Sequence, residues 1–167
     1  MSKYGLTVHP EKTRLVRFEP PKAGNSDTEE RPPSAPTTFD FLGFTHYWGR
    51  SRKGEWVVKR KTAKSRFKRA LEALSDWCRK HLHLPVREQY QKLKQKLEGH
   101  YGHYGIIGNY SGLYRFREGV RRIWRRRLSR RCRGKRLTWL RFLRLEKRYQ
   151  LPRAHVVHGL ASSVAKS

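Results

Sequence analysis

Between Arg121 and Arg136 the chain carries nine arginines and one lysine, and no acidic residue. Through and just before this stretch, Leu113, Phe116, Val120, Ile123, Trp124 and Leu128 recur at mostly three- and four-residue steps. That spacing gathers them on one face of an α-helix. Arg121, Arg122, Arg125 and Arg126 fall away from the stripe. Such a helix must bury its apolar face against other elements, since amphipathic helices of this length do not hold in water alone. Its cationic face needs an anion.

The whole chain repeats the imbalance. It has 167 residues, with 40 Lys+Arg against 13 Asp+Glu and a formal net charge of +27. A single-sign excess repels itself in the compact state, and a polyanion offsets it. Nucleic acid and an anionic membrane surface are the two sources. No stretch approaches the roughly 18 consecutive apolar residues of a spanning helix, and arginines interrupt the hydrophobic runs. The expectation is therefore no membrane partner. Aromatic residues make up 12% of the chain, which supplies a core and separates it from a disordered basic tail.

Two cysteines, Cys78 and Cys132, are too few for a disulfide framework or an all-cysteine zinc site. They read as free thiols in a reducing cytosol. The N-terminal MSKYGLTVHPEKTR has no apolar run of signal-peptide length, so no secretory leader is expected.

Four textures follow one another. Residues 1–18 read as short extended pieces, with Leu6 and Val8 before His9-Pro10 and Leu15, Val16 and Phe18 after it. Residues 19–38 hold Pro20, Pro21, Pro32, Pro33 and Pro36 beside Gly24 and Asn25, the composition of a flexible linker. Residues 39–60 predict a β-hairpin. Its first arm contains Phe39, Phe41, Phe44, Tyr47 and Trp48, its turn runs from Gly49 to Gly54, and its second arm contains Trp56, Val57 and Val58.

Residues 61–150 predict a helical bundle. The first helix carries Phe67, Ala70, Leu71, Leu74, Trp77 and Cys78, with Thr62 as its cap. Pro85 opens a second with Tyr90, Leu93, Leu97, Tyr101 and Tyr104, ended by Gly105 and Gly108-Asn109. The arginine-rich third helix stops near Gly134. Thr138 caps a fourth bearing Trp139, Leu140, Phe142, Leu143 and Leu145, and Pro152 closes it. Residues 151–167 read as a tail. The fold class expected is α+β, mainly α: a β-hairpin followed by a small helical bundle.

Arginine outnumbers lysine on the third helix, and its planar fork grips phosphate bidentately and stacks on bases. Ordinary solvated faces mix both signs, and this one does not. The residues expected to contact RNA are Lys59, Arg60, Lys61, Lys64 and Lys68 around the first helix, with Arg115, Arg121, Arg122, Arg125, Arg126, Arg130 and Arg131 on the third. His81 and His83, and His100 and His103, have metal-like spacing but no carboxylate or cysteine in a ligand pattern beside them, so they read as structural and no metal is expected. Tyr101, Tyr104 and Tyr110 suit base stacking or core packing equally.

Three ordered motifs resemble the bacterial group II intron reverse transcriptase/maturase family. GLTVHPEKTRLVRF resembles the block after the catalytic aspartates of the palm. TFDFLGFTHYWG, residues 38–49, resembles the last palm block, the primer-grip hairpin, on which Phe41, Leu42, Gly43 and Phe44 are the matching positions. GHYGHYGIIGNYSGLYRF, residues 99–116, looks like the maturase-specific thumb, domain X. The resemblance implies a thumb that grips structured intron RNA and assists its folding and splicing, with DNA at the insertion site as a further partner and a bacterial cytoplasmic location. It implies a role for Lys12 near the departing pyrophosphate, where the residues themselves give only a surface lysine on a turn.

The resemblance also marks what is missing. The intact polymerase uses magnesium on paired aspartates, and no Tyr-x-Asp-Asp motif or adjacent aspartate pair occurs. No cofactor is expected for the chain itself. The expectation is an RNA-binding maturase thumb. The alternatives are one half of a split RNA-directed DNA polymerase whose N-terminal partner supplies the aspartates, and a small basic structural RNA chaperone.

Overall fold

The computed structural model describes residues 16–21, 38–131 and 137–158. Lys12 and the first extended pieces, most of the proline-rich stretch, Cys132, the stop near Gly134 and residues 159–167 lie outside the described residues. The protein is α+β and mainly α: a three-stranded antiparallel sheet followed by four helices.

The sheet corrects the two-arm hairpin. What reads as one arm is two strands, β1 (Thr38–Phe41) and β2 (Phe44–Arg50), reversed at Leu42-Gly43. Both turn residues have positive φ, 49° at Leu42 and 85° at Gly43. A two-residue reversal of this kind matches the twist of the flanking strands, and glycine takes its place without strain whereas leucine does not. The third strand, β3 (Trp56–Thr62), pairs with β2 from Arg50↔Trp56 to Phe44↔Thr62. Alternation puts Phe39, Phe41, His46 and Trp48 on one face, and Thr38, Asp40, Thr45, Tyr47, Lys59 and Lys61 on the other. Phe18 has no strand partner among the described residues, against the β-like run expected for it. It packs edge-on to Phe39 at 4.8 Å and stacks on Trp48 at 5.2 Å.

The helices are α1 (Lys64–Lys80), α2 (Val86–Tyr104), α3 (Tyr110–Arg131) and α4 (Trp139–Arg148). Pro85 stands at the N-cap of α2 and Gly105 at its C-cap. Thr138 caps α4, its hydroxyl accepting from Arg141 N at 3.4 Å. The cap expected at Thr62 is absent. Ala63 occupies the N-cap of α1 with no side-chain bond, and Thr62 ends β3 instead.

The expected stripes meet in one core. Leu74 and Cys78 from α1, Leu93, Leu97 and Tyr101 from α2, Leu113, Phe116, Val120, Trp124 and Leu128 from α3, and Phe142 from α4 are buried together. Trp124 is completely buried and its indole N–H donates to Gln89 Oε1 at 3.1 Å, so a large apolar side chain enters the core with its one polar atom satisfied. Burial pushes the Cys78 thiol up to about 12, which leaves it an inert packing residue. The residues from Leu151 to His158, read from sequence as part of a tail, pack against the bundle. Leu151 and Ala154 join the core, and Val157 N and His158 N both donate to Gly105 O at 2.8 Å.

Candidate nucleic-acid interface

The sheet is fixed to the bundle around the buried Asn109. Asn109, 1% exposed, accepts from Thr62 N at 3.1 Å and donates to Thr62 Oγ1 at 2.8 Å and to Tyr104 O at 2.9 Å. Gly112 makes this possible, because a Cβ there would sit 2.5 Å from Asn109 Oδ1. Ala63 N donates to Gly43 O at 2.9 Å, and Phe44 packs edge-on to Tyr104 at 5.3 Å. The Leu42-Gly43 reversal is thereby held against the end of α2.

This junction opens a groove of about 930 Å³ between the polar face of the sheet and the helices. Thr38, Asp40, Thr45 and Lys61 form the sheet wall. Lys64, Phe67 and Leu71 come from α1, and Gly112, Tyr114, Arg115, Glu118, Gly119 and Arg122 from α3. Close packing of Leu71 against Gly119, where a Cβ would meet Leu71 Cδ2 at 2.9 Å, forms part of its base.

Of the twelve cations expected from sequence, Lys61, Lys64, Arg115 and Arg122 converge on this groove, and all four are exposed. Among the described residues no carboxylate lies within ion-pair distance of any of them. Arg115, Arg122 and Arg126 sit seven and four residues apart, so they form a row along the outer face of α3. Lys59 shares the sheet face of Lys61, whereas Arg60 projects from the opposite face with His46. Lys68 is exposed one turn beyond Lys64 and sits 3.8 Å from Glu72. Arg130 is exposed, and Arg131 donates to Leu84 O at 2.8 Å at the far end of α3.

Two of the expected residues have partners within the protein. Arg121 does not join the outer row. Its Nε and Nη2 bond Glu146 Oε1 and Oε2, each at 2.6 Å, and its Nη1 bonds Glu118 Oε2 at 2.6 Å. Hydrogen bonding to Glu146 raises its pKa further above the usual arginine range. Arg125 also turns toward α4, donating to Leu137 O at 3.1 Å and lying 4.3 Å over the Trp139 ring. Both lie about 100° to 140° round the helix from Val120, at the edge of the buried face, where α4 covers them. The sequence shows the arginines but not which neighbour arrives beside them.

The tyrosines and histidines also divide. Tyr101 is wholly buried and donates to Pro152 O at 3.2 Å. Tyr104 packs at the sheet junction, and Tyr110 is 54% exposed away from the groove. His100 stacks on Phe116 at 3.6 Å, His81 on Trp77 at 4.7 Å, and His103 lies edge-on to Tyr104 at 4.5 Å. The expectation missed Tyr114, Asp40 and Thr45. Tyr114 stands next to Arg115 and could have been placed beside the cationic row by helical projection. The other two face each other across the β1–β2 pair, Asp40 opposite Thr45, a pairing that the hairpin reading did not contain because it ran both strands together as one arm.

Among the described residues no group of three or more His, Cys, Asp or Glu could hold a metal ion. No described helix is long and apolar enough to cross a membrane. Comparison of the chain with protein-family models, curated proteins and solved structures finds no match.

Proposed function

We propose that this chain is an RNA-binding protein that acts as a maturase thumb on group II intron RNA. It works by neutralising phosphate, with no covalent chemistry. One observation carries the reading: Lys61, Lys64, Arg115 and Arg122, from a strand and two helices, meet at one groove, and among the described residues none of the four is ion-paired to a carboxylate. Cations on separate elements that share one concavity focus their field there and attract a phosphate chain. Arg126 and Lys68 extend the positive surface beyond the groove. Bound along this surface, an RNA would have two of its helices held together with their mutual repulsion reduced.

The three ordered sequence motifs support the choice of intron RNA over other polyanions. Phe44 of the primer-grip-like block packs against Tyr104 of the Asn109 motif at the sheet–bundle junction. The test is RNA affinity across a salt series, for a group II intron RNA and an unrelated folded RNA of equal length. Affinity should fall linearly with salt on logarithmic axes, and the intron should bind more tightly. Equal binding of the two RNAs would remove the maturase assignment and leave a general RNA chaperone.

A further inference from the structure

We infer that the groove between the sheet and α3 takes an unpaired RNA strand, with one base stacked on Tyr114 and the neighbouring phosphates on the arginine side. This rests on the RNA-binding reading above and adds which form of RNA the groove accepts. Three observations carry it.

The first is size and shape. A concavity of about 930 Å³ falls at the upper end of the roughly 300–1,000 Å³ range of sites that enclose a small molecule. One or two nucleotides fill such a space. A double helix could only lie across its mouth.

The second is the lining. Phe67 and Leu71 give the groove an apolar base, and Tyr114 stands on its wall 50% exposed. Among the described residues Tyr114 has no aromatic partner, whereas Tyr101, Tyr104 and Tyr149 each pack against another ring. An exposed ring between cations is the arrangement that binds single strands: every base offers a π-face to the ring while the cations track the backbone. A duplex has already spent those faces on its own stacking.

The third is the polarity across the groove. Both walls carry cations and a carboxylate, but not equally. On α3, Arg115 and Arg122 flank Glu118, whose carboxylate is already bonded by Arg117 at 3.0 Å and Arg121 at 2.6 Å. On the sheet side Lys61 shares the wall with Asp40, which accepts from Thr45 Oγ1 at 2.5 Å. A carboxylate repels phosphate and accepts from hydroxyl and amino donors. The α3 wall is therefore the more positive of the two, so phosphates run along it and the ribose 2′-hydroxyls and base edges face Asp40.

The experiment measures fluorescence anisotropy of a short labelled oligouridylate, which stays unpaired, and of a fully paired RNA duplex of equal length. The intact chain is compared with Tyr114→Ala, Tyr114→Phe and Tyr110→Ala, the last an equally exposed tyrosine on the same helix outside the groove. Circular dichroism confirms that each variant keeps its helices. Tyr114→Ala should lose about 5- to 150-fold in affinity for the unpaired strand. Tyr114→Phe should retain the affinity, and Tyr110→Ala should stay within about twofold of it. Duplex binding should be weaker than single-strand binding and insensitive to Tyr114. Equal loss in both alanine variants, or a duplex that binds as tightly as the single strand, would overturn the single-strand inference while leaving RNA binding intact. Absence of binding to either RNA at low salt would overturn both readings.

Discussion

Asn109 and Thr62 are locked to each other by two hydrogen bonds, one to the backbone and one to the side chain, where the last strand meets the α2–α3 connection. The pair lies 47 residues apart in sequence. It sets the angle between sheet and bundle, and so the width of the groove between them.

Asn109→Ala removes three hydrogen bonds and leaves Thr62 N without its partner, while Tyr104 O keeps Ile106 N at 2.9 Å. Leaving buried groups unsatisfied costs about 1–3 kcal/mol each at most. Urea unfolding of the variant should show a stability loss on that scale, and RNA affinity at a fixed salt should fall as the walls lose register. Gly112→Ala should reproduce the loss, because the added methyl meets Asn109 Oδ1.

Arg121 and Arg122 are neighbours in sequence with opposite expected phenotypes. Arg121→Gln leaves Glu146, which is 9% exposed, without its principal cation, and breaking a buried pair costs about 3–5 kcal/mol. The discount for its partly solvated position puts the loss nearer the lower figure. The salt slope of RNA binding should not change. Arg122→Gln should leave the unfolding midpoint in place and reduce the salt slope by about 1. A slope change in Arg121→Gln without a stability loss would return Arg121 to the contact surface.

Trp124→Ala should cost about 3–5 kcal/mol, since the indole is completely buried and also satisfies Gln89. Thermal melting checks this directly. An unchanged midpoint would contradict the burial.

His100 predicts a pH dependence. Burial, aided by the charge of His103, lowers its pKa from 6.5 to about 4. Above pH 6.5 the imidazole is neutral in both folded and unfolded chains and imposes no penalty. Between pH 6.5 and 4 the unfolded chain binds the proton and the folded chain does not, so stability falls by about 1.4 kcal/mol per pH unit. Below pH 4 this contribution levels off. The stability difference between the chain and His100→Phe should change with that profile.

The apolar spacing alone determines the four helices, because a period of three to four residues allows each stripe one way to leave water. Pro85, Gly105 and Thr138 likewise mark their positions locally, through a fixed φ, a helix stop and a hydroxyl at the N-cap. The excess of arginine over carboxylate is also a property of composition, and it holds whatever the fold. The sequence does not show that Leu42-Gly43 reverses the chain, since a leucine at positive φ runs against its own preference and is held there by the strands on either side. Nor does it show which arginines stay free. Arg121 and Arg122 are identical residues one position apart, and the 100° between them on the helix puts one under α4 against Glu146 and the other on the groove. Helical period assigns a residue to a face, but only tertiary packing decides what stands opposite that face, because the partner arrives from a distant part of the chain.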